Sequence, residues 1–70
     1  MLGIFRTNIQ TTKDKSDVID AIVAQLPVTA CSVDLEDCDK VLRIDSPVIF
    51  APETIINLVA DLGFDCQILD

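Results

Sequence analysis

Apolar residues recur along this chain with two spacings that follow one another in a fixed order, and that order limits the folds open to it. Residues 2–9 are rich in β-formers and lack proline, the pattern of a strand. Two parities compete there. With Phe5, Thr7 and Ile9 inward and Ile4, Arg6 and Asn8 outward, the aromatic ring is buried and the charge exposed, so this parity is expected. The spacing then lengthens. Val18, Ile19, Ile22, Val23 and Leu26 fall at i, i+3, i+4 and i+7 intervals, while Asp17, Asp20 and Gln25 take the opposite side. This predicts a helix from Thr11 or Thr12 to about Leu26. Either threonine offers an N-cap, Thr11 and Asp14 make a near capping box, and Pro27 stops the helix.

Residues 28–35 alternate, with Thr29, Cys31, Val33 and Leu35 on one side and Ala30, Ser32 and Asp34 on the other. Glu36, Asp37, Cys38 and Asp39 read as a turn. Residues 40–45 alternate again, with Leu42 and Ile44 opposite Val41 and Arg43, which makes a β-hairpin. Ala51-Pro52-Glu53 opens a second helix with proline at its favoured first position, and Ile55, Ile56, Val59 and Leu62 form its apolar stripe. Gly63 suits a left-handed cap, with Phe64 folding back onto Val59, before a closing strand over residues 66–69. The order β-α-β-β-α-β predicts an α+β, ferredoxin-like fold. In it a four-stranded antiparallel sheet, ordered 4-1-3-2, carries two helices on one face. The other face stays open.

Composition narrows the functions. The 70 residues are expected to form one domain, residues 1–70. Half are apolar and only three are aromatic, so the core must be aliphatic. A net charge of −7 argues against a nucleic-acid partner and against an anionic membrane surface. Cys31, Cys38 and Cys66 cannot all pair within one chain and lack the spacing of a zinc module. Their odd number, and the absence of a secretory leader, point to the reducing cytoplasm. No apolar run approaches the ~20 residues of a membrane helix. There is no histidine, no nucleophile beside a plausible base and no phosphate-binding loop, so no enzymatic activity is expected.

Several segments carry a resemblance to a known family. They are residues 24–28 (Ala-Gln-Leu-Pro-Val), 31–35 (Cys-Ser-Val-Asp-Leu), 42–45 (Leu-Arg-Ile-Asp), 52–56 (Pro-Glu-Thr-Ile-Ile) and 61–65 (Asp-Leu-Gly-Phe-Asp). In hydrophobic rhythm, the Leu-Pro helix exit and the Gly-Phe close, the chain resembles the heavy-metal-associated domains of copper chaperones and metal-transport ATPases. That family carries Met-Thr-Cys-x-x-Cys between its first strand and first helix. Counted back from Leu26-Pro27, the motif falls on Gln10, Thr11, Thr12 and Lys15, and only the threonine is kept. The resemblance thus implies a metal grip whose two thiolates are replaced by the Thr12 hydroxyl and the Lys15 ammonium. A hydroxyl is a hard, neutral donor and an ammonium has no lone pair to give, so neither suits a soft cation. No cofactor is expected on this reading.

Three functions are compatible with these residues. The first is a non-catalytic module with a degenerate metal site that serves protein interaction or regulation. It would bind a partner, or a second copy of itself, through a loop rim of Thr11, Thr12, Lys13, Lys15 and Phe64, or through the open sheet face with Ile4 and Val41. The second is metal binding or metallochaperone activity with other ligands, Cys38 with Asp37 and Asp39, taking zinc or copper. The third and lowest-ranked is an ACT-like small-molecule sensor, which wants a Gly-rich loop that residues 8–15 lack. Lys13 and Lys15 are expected to pair with Glu36, Asp37 or Asp39 across the rim, and Cys31 and Cys66 to pack inward.

Overall fold

A computed structural model describes residues 1–69. The elements follow the expected order: β1 (Leu2–Thr7), α1 (Thr12–Gln25), β2 (Ala30–Asp34), β3 (Val41–Asp45), α2 (Pro52–Asp61) and β4 (Cys66–Ile68). The strands form one sheet in the order β2-β3-β1-β4, antiparallel at every pairing. This is the expected ferredoxin-like arrangement. β1 sits centrally, with Phe5 opposite Leu42 on one side and Ile68 on the other.

The preferred parity of β1 holds. Phe5 and Thr7 are buried in the strand and Ile9 just beyond it, while Arg6 and Asn8 are exposed. Leu42, Ile44 and Val33 face the same side and meet Val18 and Ile22 of α1 and Ile55 and Val59 of α2. The resulting core is aliphatic around one phenylalanine, as the composition requires. Burying each such side chain contributes ~1.5–3 kcal/mol, which sets these residues as the main support of the fold.

Helix ends follow their local chemistry. Thr11 is the N-cap of α1, extended in backbone, and its hydroxyl accepts from the Asp14 amide at 3.0 Å. Leu26 leaves the helix in an extended conformation, as the residue before Pro27 must. Ala51 offers α2 no side-chain cap, but Pro52 at the first position has no amide to satisfy. At the far end Gly63 has φ +96, its amide donates to the Ala60 carbonyl at 2.9 Å, and the Phe64 amide donates to the Val59 carbonyl at 3.3 Å. That pair of bonds is the expected Schellman close.

Strand and stripe edges depart from expectation. β1 ends at Thr7 rather than residue 9, because the side chain of Asn8 turns to Asp65 instead of extending the ladder. β2 spans five residues rather than residues 28–35, since its only neighbour, β3, is itself five long. Thr29, expected inward, is exposed, and its amide and hydroxyl both donate to the Asp45 carbonyl. Lys40, expected in a strand, turns the chain at φ +46 and donates its ammonium to the Leu35 carbonyl at 2.7 Å. Val23 and Leu62 lie at the outer margins of their stripes and stay 55% and 41% exposed. Leu58 is drawn against the core on the α2 side.

At the end of the molecule where β1 begins, the Met1 ammonium and the Ser46 amide exchange bonds with each other's carbonyls. Ser46 is buried there and donates its hydroxyl to the Pro27 carbonyl at 3.3 Å. This anchors the β3–α2 connector. No helix of the described residues is long and apolar enough to cross a membrane.

A Cβ added at Gly63 meets no atom within 4 Å, so any cost of substitution is conformational. Gly63→Ala should lower urea-unfolding stability by about 1–2 kcal/mol, the cost of a left-handed backbone for an L-residue. Gly63→Asn should lose less, and the m-value should stay unchanged in both.

Candidate functional site

The loops after β1, β2 and α2 gather at one rim, and the bonds that hold them there are specific. Thr7 is buried at the end of β1; its amide donates to the Asp39 carbonyl at 3.0 Å and its hydroxyl to the Lys40 carbonyl at 2.6 Å. The same hydroxyl accepts from the Ile9 amide at 3.3 Å. On the other flank, Asn8 accepts from the Asp65 amide at 2.9 Å and donates to the Asp65 carboxylate at 3.4 Å. Residues 7–9 thus clamp the β2–β3 turn on one side and the α2–β4 loop on the other. Sequence patterning missed Thr7, Asn8 and Asp65 as ties. The one signal for Thr7 was a polar residue on the inward parity of a central strand.

The rim residues expected at the start of α1 are where the sequence put them. Thr11 caps the helix, Thr12 opens it, and Lys13, Asp14 and Lys15 form its first turn. Thr12 is exposed, Lys15 is half-buried, and among the described residues neither side chain has a hydrogen-bond partner. Phe64 is half-buried against the core.

The expected cross-rim ion pairs do not form. Lys13 instead pairs with Asp17 at 2.9 Å, one helical turn along, and this is the one ion pair among the described residues. The hydrogen bond to Asp17, followed by its charge, pushes the Lys13 ammonium above its ordinary value. The carboxylate four residues along on the same helix face is reached at little entropic cost, whereas a pair across two loops must fix both.

The acidic turn satisfies itself. Asp34 accepts from the Glu36 amide at 3.0 Å, Asp37 accepts from the Asp39 amide at 2.8 Å, and the Lys40 amide donates to the Asp37 carbonyl at 3.0 Å. These are Asx turns closed on their own backbone. Within them the Asp37 and Asp39 carboxylates and the exposed Cys38 sulfur lie within 4.8 Å of one another. One Asp37 oxygen is already engaged by the turn. The other two cysteines are packed, as expected. Burial pushes both the Cys31 and the Cys66 thiol up to about 11. Cys66 is buried opposite Thr7, and Cys31 is half-buried on β2.

Comparison with solved structures identifies this backbone. A yeast copper transporter domain, Ccc2a, solved in apo and Cu(I)-loaded states, superposes with a TM-score of 0.84 at 20% identity, over 99% of this chain and 94% of that one. A CopZ metallochaperone gives 0.82 at 20% identity, over 96% of this chain and all of the other. A structure described under crosstalk between Cu(I) and Zn(II) homeostasis gives 0.81 at 16% identity, covering 99% and 98%. No family model matches the chain. No curated protein resembles it in sequence. The fold is therefore that of copper-transporter and metallochaperone domains, as the resemblance implied. These neighbours also correct the expectation of no cofactor. The yeast domain was solved in a Cu(I)-loaded state and another neighbour is described under Cu(I) and Zn(II) homeostasis, so the fold gives no ground for expecting a protein without metal.

The three thiols should separate in reactivity. At pH 8 in native buffer, an alkylating reagent should modify Cys38 at least tenfold faster than Cys31 or Cys66, as mass mapping of the adducts would read. Thiols raised by burial favour folding below their unfolded value near 9 and lose that advantage as pH climbs toward 11. Stability should therefore fall on the alkaline side, between about pH 9 and 11, and less steeply in a Cys31→Ala variant.

Proposed function

We propose that residues 1–70 act as a single, non-catalytic, cytoplasmic docking module of a metal-trafficking system. One observation carries this reading. The chain keeps the backbone of copper-transporter and metallochaperone domains over nearly its whole length, while Thr12 and Lys15 stand at the start of α1, where the resemblance implies two cysteines. Two thiolates at a helix N-terminus hold a soft cation partly through the helix dipole; a hydroxyl and an ammonium at the same place do not. What remains suited to work is the rim, Thr11, Thr12, Lys13, Lys15 and Phe64 beside the acidic turn. A rim with opposite charges on its two sides orients a protein partner and speeds its encounter. At a net charge of −7 that partner is a protein with a basic surface, not a nucleic acid or an anionic membrane.

A second reading places a metal ion on the other side of the rim. Its support is the convergence of Asp37, Cys38 and Asp39. One thiolate with two carboxylates favours Zn(II) over Cu(I), since hard oxygen donors dominate the set.

The two readings part in one titration series under reductant. On the first, Thr12→Cys with Lys15→Cys should create tight 1:1 Cu(I) binding, at least a thousandfold stronger than in the parent chain, measured against a competing chromophoric chelator. A parent that already matches the double variant sinks the degenerate site. On the second, Cys38→Ser should abolish Zn(II) uptake. Equal uptake by parent and variant ends that reading.

A further inference from the structure

The open sheet face differs from the rest of the surface in its charge. Its outward side chains include Arg6 and Arg43 against Asp34 and Asp45, with Asp37 at its edge, so it is close to balanced within a chain of net charge −7. The helices carry Lys13 and Lys15 against Asp14, Asp17, Asp20, Glu53 and Asp61, and the rim sets Lys40 against Glu36, Asp37, Asp39 and Asp65. Two copies meeting by their helices would juxtapose like charge. Two copies meeting by their sheets would not.

The register shows how they fit. On this face Asp45 lies between Ala30 and Leu2, and Arg43 lies between Ser32 and Ile4. Leu69 completes the second row through its amide bond to the Ile4 carbonyl at 3.0 Å. The two rows stand two residues apart, about 7 Å at the usual rise. Leu2 is 60% exposed, Ile4 is half-buried, and Arg43 makes no ion pair among the described residues. A groove of about 360 Å³ on this face is lined by Ile4, Val41 and Leu69 with Ser32, Arg43 and the carboxylates of Asp34 and Asp37.

We propose that the open sheet face binds a second copy of this chain about a two-fold axis that crosses the strands between Arg43 and Asp45. Each Arg43 then lies over the partner's Asp45, and each Ile4 over the partner's Leu2. The two sheets pack face to face, roughly 10 Å apart, with two apolar pairs beside two ion pairs. Each contact occurs twice, Arg43 on the partner's Asp45 and Asp45 on the partner's Arg43, as a two-fold interface demands. The apolar contact on this face is confined to a few side chains, Leu2, Ile4, Val41 and Leu69, so the dimer is weak and reversible. The inference goes beyond the rim docking reading, since its occupant is a second copy of this chain on the sheet face. It uses a surface remote from Thr12 and Lys15.

Sedimentation equilibrium of the full chain, under reductant and at physiological salt, tests it. A reversible monomer–dimer equilibrium is expected, unchanged in Cys38→Ser. Arg43→Asp and Asp45→Arg should each weaken dimerisation at least tenfold, and the double exchange should restore it to within about threefold. Urea midpoints near the parent's confirm that the variants fold. Arg43→Gln, which removes charge without reversing it, should give an intermediate loss, and amide shifts that move on dilution should centre on Leu2, Ile4, Arg43 and Asp45. A strict monomer at millimolar concentration, a dimer indifferent to both reversals, no rescue in the double variant, or dilution shifts confined to the rim would overturn the proposal. A monomer would leave the rim reading standing, because the Cu(I) titration tests that separately.

Discussion

The rim depends on Thr7. This side chain sits at the end of the central strand, is 7% exposed, and has both its donor and its acceptor in use. Its amide and hydroxyl hold two successive carbonyls of the acidic turn, and its carbonyl-side neighbours run on into the clamp on Asp65. A buried hydroxyl left without partners would cost about 1–3 kcal/mol, so the turn and the strand end hold each other in place. Without that tie, the loops after β1, β2 and α2 would share an end of the molecule by topology alone. With it, they share a fixed geometry.

The same economy explains which parts of the chain were legible in its sequence. Properties set within a turn of helix or along one strand could be read: the parity of Phe5, Thr7 and Ile9, the Thr11 cap, the Leu26-Pro27 exit and the Gly63 close. Each depends on local sterics or on a two-residue or four-residue period. Strand ends could not be read, because they belong to pairs. β2 stops where β3 stops, and nothing in residues 28–35 states the length of β3. Val23 and Leu62 satisfy helical spacing yet stay exposed, since spacing defines a stripe and the width of the facing sheet decides how much of it is covered.

Charge was the hardest feature to read. Opposite signs on two loops invite a pair across the rim, but a partner one turn along the same helix is preorganised, and Lys13 takes Asp17. Asp34 and Asp37 likewise turn to backbone amides two residues away, which satisfies them before any lysine could. In each case the nearer partner wins because it requires less ordering. The surroundings of the candidate site were legible in outline, since the sequence located the start of α1, the exposed Cys38 and the two packed cysteines. Its wiring was not.

The start of α1 separates stability from chemistry. The helix is begun by the Thr11 hydroxyl on the Asp14 amide and by the Lys15 amide on the Thr11 carbonyl at 2.9 Å. Neither bond uses the side chain of Thr12 or Lys15. Those two positions are therefore open to replacement without unfolding the scaffold, and a chain can change what its rim grips while retaining the backbone that presents it. The lysines of this turn also shape the field. A helix N-terminus carries about half a positive charge, and Lys13 and Lys15 add to it. With the acidic turn held nearby by Thr7, the rim becomes a dipole rather than a negative cup. On the proposed docking reading, such a surface would select by orientation, drawing in a partner of matched polarity along one direction.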